Sequence, residues 1–111
     1  MKRFSEKYII TKDMDWEELG GGVSRKFLGY DNQIMMVQVK FEKGALGAPH
    51  QHFHTQATYC VSGKFEFEID GVKQIVEAGD GVYIEPNLMH SAVCLEEGML
   101  IDTFSPVRED F

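Results

Sequence analysis

The sequence predicts an all-β domain, a sandwich or a barrel. Short apolar stretches recur between turn signals along most of the 111 residues. Several alternate apolar with polar residues, which is the period of a half-buried strand. No segment carries a helical period long enough to stand alone. A barrel suits a short chain because closure removes exposed sheet edges. At this length one domain with a single core is expected.

Taken in order, residues 1–7 are polar and Tyr8–Lys12 is a short strand candidate. Asp13–Leu19 allows a helical turn, in which Trp16 would cover apolar surface, and Gly20-Gly21-Gly22 breaks the chain. Val23–Leu28 and Ile34–Glu42 read as strands joined by Gly29-Tyr30-Asp31-Asn32. Gln33, Met35, Val37, Val39 and Phe41 share one face of the second; Met36, Gln38 and Lys40 share the other. Glu42-Lys43-Gly44 is a turn, and Thr58–Val61 continues in extended form. Lys64–Ile69 alternates strictly, which buries Phe65, Phe67 and Ile69 and leaves the acids wet. Asp70-Gly71 signals a hairpin, and Val72–Val76 returns. After the turn Ala78–Gly81, strands are expected at Val82–Ile84, Met89–Leu95 and Met99–Ser105, the last two joined by Glu96-Glu97-Gly98. In outline, 1–33 holds N-terminal strands with a possible role in dimer formation, 34–107 the barrel and 108–111 a tail.

Composition narrows function. Hydrophobic content of 43% is ordinary for a globular chain, and no apolar run reaches the length of a membrane span. The first residues are basic but lack the apolar core of a signal peptide, so a cytoplasmic location is expected. Cys60 and Cys94 fit a reducing compartment as small buried hydrophobes. A formal net charge of -7 argues against nucleic acid as a partner. It also requires that an anionic substrate meet a local positive centre.

Three of the four histidines, His50, His52 and His54, fall in one short stretch, and His90 follows well downstream. A regular strand would send His50, His52, His54 and Gln56 to one face. Neutral imidazole is the commonest protein ligand for divalent transition metals. Gly44, His50, His52, Gln56 and Gly63 stand at the spacing of the first cupin motif, which has Glu where Gln56 stands. Gly79, Glu85, Asn87, His90 and Cys94 keep the spacing of the second, although its Pro, Gly and Asn are replaced. From about Ile34 to Val107 the chain therefore resembles the cupins. The resemblance implies a jelly roll, or double-stranded β-helix, with His50, His52, Gln56 and His90 as metal ligands. Zinc, nickel, iron and manganese all tolerate that set. Gln56 in place of Glu leaves the ion its full positive charge, which suits Lewis-acid chemistry on an anion. The alternative is that Gln56 only hydrogen-bonds a neighbour. His54 has three readings: a ligand instead of Gln56, a base, or no role.

The other informative stretch is Leu100–Phe111. Asp102 and Phe104 share a strand face, and a carboxylate in an apolar strand is costly unless it has a partner. Facing a metal cavity, Asp102 would serve as general acid or base; on the outer face it would be a surface charge. Pro106 ends the strand, and Arg108 follows with a fork suited to a carboxylate. The segment as a whole resembles the tail of small pectin-degradation cupins of the KdgF type. That resemblance implies linearisation of 4,5-unsaturated monouronates to open-chain 5-keto-4-deoxyuronate, with Asp102, Arg108 and Phe104 lining the active site. It implies a small anionic sugar as partner and, as in other cupins of this size, a homodimer. Arg25 is a further candidate for binding the substrate carboxylate, on its charge. The rival functions are a metal-dependent sugar-acid binder without catalysis and a cupin dioxygenase.

Overall fold

Among the described residues, eight strands form one antiparallel sheet that folds over on itself. The computed structural model describes residues 2–111. After a short 3-10 turn at Thr11–Asp13 come β1 (Glu17–Gly20), β2 (Val23–Tyr30), β3 (Met35–Phe41), β4 (Leu46–His50), β5 (Thr55–Ile69), β6 (Val72–Glu77), β7 (Gly81–Ile84) and β8 (His90–Ser105). The main path is β1-β2-β3-β8-β5-β6, with β4 added to β8 and β7 to β5.

The two long strands, β5 and β8, pair from Thr55↔Ser105 to Ile69↔His90 and shift register between Cys60 and Phe65. On one side of that shift they are flanked by β3 and β7, and on the other by β4 and β6. The shift is thus a crease, and the two half-sheets face each other across the core. Two glycines permit it. A Cβ on Gly63, whose φ is 82°, would lie 2.6 Å from the Gly98 Cα, and a Cβ on Gly98 would strike the Ser62 backbone. The expected turn at Glu96-Glu97-Gly98 is therefore not a break between strands. It is the bend of one continuous strand, bridged across the crease by β5.

The alternating patterns fill the interior. Met35, Val37, Val39 and Phe41 are buried on β3, and Phe65 and Phe67 on β5, while Ile69 is only half-buried. Phe41 meets Phe65 edge-on with ring centroids 5.2 Å apart, joining the half-sheets near the crease. Cys60 and Cys94 lie there as free, buried thiols, and burial pushes both above the usual thiol range. At the β5–β6 hairpin, Asp70 and Gly71 have φ of 50° and 81°, the left-handed pair that an Asp-Gly turn provides.

The N-terminal segment differs from expectation. Tyr8–Lys12 is not a strand, and Tyr8 is 85% exposed. Thr11–Asp13 makes the 3-10 turn and Glu17–Gly20 is extended, so the expected helical turn at Asp13–Leu19 is also absent. Trp16 is half-buried and lies between two cations, with the Lys26 and Lys40 Nζ atoms 4.4 and 4.3 Å from its ring centroid. Lys26 Nζ also donates to the Thr11 carbonyl at 2.8 Å, which ties this segment to the outer face of the sheet.

Candidate metal centre and active site

Strand register brings the histidines together. β4 pairs with β8 so that His50 stands opposite His90. His52 lies beyond the end of β4, in the connection to β5, and not on a continuous strand face. It is fixed there by the turn before His90, where the Asn87 N–H donates to the His52 carbonyl at 2.7 Å. Asn87 has φ 66°, a backbone that Asn tolerates better than most residues, and it occupies the motif position usually held by Gly. The ring centroids are 4.3 Å apart for His50–His90, 4.9 Å for His52–His90 and 5.5 Å for His50–His52. Each ring presents a nitrogen within 4.8 Å of the other two.

The donor chemistry fits a metal ion. Each Nδ1 lies beside a backbone carbonyl: His50 with Ala48 at 2.8 Å, His52 with His54 at 3.1 Å and His90 with Leu88 at 2.9 Å. A carbonyl can only accept, so each Nδ1 carries the proton and each Nε2 presents a lone pair. His90 Nε2 is buried with no hydrogen-bond partner. His52 Nε2 faces the Gln56 Oε1, another acceptor, at 2.9 Å. A cation among these atoms satisfies every lone pair at once. Burial holds His52 and His90 below the usual imidazole pKa, which favours the neutral, ligating form.

A second line of polar groups runs inward from Gln56. Its Nε2 donates to Thr58 Oγ1 at 3.0 Å, and Thr58 Oγ1 donates to Asp102 Oδ1 at 2.7 Å. The β5–β8 ladder sets this up by pairing Gln56 with Phe104 and Thr58 with Asp102. Burial raises the Asp102 carboxyl above its ordinary pKa, opposed by the Thr58 hydrogen bond and by the charges of Arg108 and His50. Asp102, Phe104, Arg108, His50, Gln56 and His90 all line one cavity of about 250 Å³.

Two guanidinium groups close that cavity. Arg108 is buried, forks onto Asp110 at 2.5 and 3.2 Å, and lies 5.2 Å from the Phe104 ring centroid and 4.2 Å from that of Phe111. Asp110 is held below the usual carboxylate range by that contact. Arg25 lies 4.6 Å from the other partner they share, the Phe111 ring, and its Nε donates to Glu17 Oε1 at 2.8 Å. Both arginines line the cavity, so two positive centres face a space in a chain of net charge -7.

Comparison with known proteins places this arrangement. The model of the cupin domain family matches residues 37–103. The chain belongs to the cupin family. It is 49% identical over 107 residues to the pectin degradation protein KdgF of Dickeya dadantii (strain 3937), covering 95% of this chain and 97% of that protein. Among solved structures, an RmlC-like cupin from Shewanella frigidimarina superimposes with a TM-score of 0.97 at 43% identity, covering 99% of each chain. KdgF from Halomonas sp. superimposes with a TM-score of 0.91 at 40% identity, covering 96% of this chain and 98% of that one.

In this cupin the cluster of converging ligand nitrogens comprises His50, His52 and His90, with Gln56 beside them. His54 is not in the cluster: its ring stacks on Phe53 at 3.9 Å, and its Nδ1 is buried without a partner. Sequence reading did not single out Thr58, Phe111, Glu17 or Asp110. Thr58 had a usable signal, its shared parity with Gln56 and Cys60. For the other three, only the fold brings them to the site.

Proposed function

We propose that this cupin linearises 4,5-unsaturated monouronates, such as those released in pectin or alginate breakdown, to open-chain 5-keto-4-deoxyuronates. The observation that carries the reading is the single cavity. It combines two imidazoles of the three-histidine cluster, His50 and His90, with a desolvated carboxylate and two guanidinium groups, as a small sugar acid requires. The likeness to pectin degradation proteins of the KdgF type supports it.

The chemistry is an isomerisation. The bond between the anomeric carbon and the ring oxygen breaks, the anomeric hydroxyl loses its proton to give an aldehyde, and the ring oxygen is left as an enolate. C4 then gains a proton and the enolate becomes a ketone. No electrons enter or leave. His50, His52 and His90, with Gln56 beside them, would hold a divalent ion, which would supply positive charge for the developing enolate. Asp102 moves the proton: desolvation makes it a stronger base when ionised, and Thr58 fixes the oxygen that does not receive the proton. Arg108, held by Asp110 through Nε and Nη2, and Arg25 supply positive centres for the substrate carboxylate. Phe104, in register with Gln56, shapes the wall and excludes water.

A proton NMR time course with 4,5-unsaturated galacturonate tests this. Loss of the vinylic signal should be much faster than spontaneous opening, in proportion to enzyme, and should stop when a chelator removes the metal. Binding without acceleration would instead assign the site to a sugar-acid binder.

A further inference from the structure

Between the Gln56 amide beside the metal site and the carboxylate of Asp102 stands one hydroxyl that the reaction itself does not require. We propose that Thr58 is a positioning residue, which sets the orientation of the Gln56 amide toward the metal site and holds Asp102 in the cavity at the same time.

The direction of each hydrogen bond follows from the chemistry of the groups. The Gln56 amide nitrogen can only donate, so at 3.0 Å the Thr58 oxygen must accept. A hydroxyl has one proton, and that proton points to Asp102 Oδ1 at 2.7 Å. With its nitrogen committed to Thr58, the amide turns Oε1 outward to face His52 Nε2 at 2.9 Å. One side chain therefore decides which end of Gln56 the metal site meets. Without it the amide is free to turn its NH2 toward the imidazole lone pair and block the site as a ligand.

The same bond holds one Asp102 oxygen from the side of the sheet. Thr58 is 4% exposed, so water does not compete. The neighbours in register are apolar: Val82 beside Thr58 on β7 and Val37 beside Asp102 on β3. Partners that orient a metal ligand without touching the ion typically change affinity or activity by about 10–100-fold when removed.

The turnover part of this inference rests on the proposed function; the metal part does not. Thr58→Val keeps the branched shape and removes the hydroxyl, and Thr58→Ser keeps the hydroxyl. Cobalt(II) serves as the metal probe, read by calorimetry and by its visible absorption, with steady-state kinetics on 4,5-unsaturated galacturonate and a melting curve for each variant. Thr58→Val should bind cobalt about tenfold or more weakly, with an altered spectrum, and kcat should fall about 10–100-fold. Thr58→Ser should restore affinity, spectrum and rate. Thr58→Ala takes the place of Thr58→Val if the latter does not fold, with the same expected result. A purely structural role would lower the melting temperature and leave the cobalt spectrum of the folded protein unchanged. Parental cobalt affinity and spectrum in Thr58→Val, or a Thr58→Ser variant as impaired as Thr58→Val, would overturn the proposal. If the parent itself does not accelerate ring opening, the functional reading fails while the cobalt comparison still decides the role of Thr58.

Discussion

The crease and the mouth of this barrel are built by the same two strands and carry opposite chemistry. At the crease, where Gly63 and Gly98 cross, β5 and β8 contribute Cys60, Phe65, Cys94 and Leu100, all buried and all neutral. Toward the mouth the same strands contribute Gln56, Thr58, Asp102 and His90 to the inside. On β8 the inward parity is the same in both places, and on β5 it only switches across the register shift, so the pleat alone does not separate them. The separation comes from distance to the crease. Near it the half-sheets are held together and side chains must interlock without water. Away from it they part, and the gap admits polar groups provided each has a partner. The ladder sets Thr58 beside Asp102, which hydrogen-bond, and His50 opposite His90, where an unpartnered Nε2 faces the metal site.

If that division is real, damage at the two ends should read out differently. The largest effect is expected at the crease. Phe65 is fully buried and packs edge-on against Phe41. Phe65→Ala should cost about 3–5 kcal/mol of folding stability by urea titration. Metal affinity of the molecules that remain folded should be unchanged, because Phe65 does not line the cavity. Loss of metal binding by the folded variant would show that crease and mouth are one cooperative unit.

The mouth should show the converse. Asp102→Asn keeps the shape but removes the proposed proton carrier, so turnover of unsaturated uronate should fall by about a hundredfold or more. Stability should move the other way. Because burial raises the folded-state pKa of Asp102, its contribution to stability is complete below the ordinary value of 3.8 and is lost as pH rises through the raised value. At neutral pH the ionised carboxylate is therefore a cost that Asn does not carry. The metal-free variant should unfold at the same or higher urea concentration than the parent. A variant with parental turnover would remove Asp102 from the mechanism.

What could be read from the sequence follows the same division. The period-2 runs on β3 and β5 identified most of the core directly, because alternation is local information. Motif spacing singled out His50, His52, Gln56 and His90, which the fold brings close together, the last through a motif whose glycine is replaced by Asn87 in a left-handed conformation. The long-range register was not legible. Thr58 and Asp102 are 44 residues apart, and only the β5–β8 ladder makes them neighbours. Nor did Arg108 reveal that Asp110 and Phe111 would hold it, since a polar tail reads as solvated until a cavity is present to receive it. The Tyr8–Lys12 strand failed for a related reason: local extended propensity has no consequence without an edge to pair with.

The smallest expected effect is a pH dependence confined to the mouth. Burial lowers the pKa of His52 and His90 from the ordinary value of 6.5. Between those lowered values and 6.5 the unfolded chain holds more protons than the folded one, so the metal-free protein should lose stability as pH falls below about 6.5. Asp102 acts in the opposite sense, regaining stability on acidification, so the measurement is best made in the Asp102→Asn background. Glu17 and Asp110, whose pKa values are lowered by Arg25 and Arg108, contribute only once pH approaches the carboxylate range. Urea midpoints between about pH 7 and pH 5 should therefore decline in Asp102→Asn. Adding Phe65→Ala should lower every midpoint while leaving the slope of stability with pH as it was. A flat profile would mean that the imidazoles at the mouth meet no desolvation penalty. A slope altered by Phe65→Ala would mean that crease and mouth are not independent.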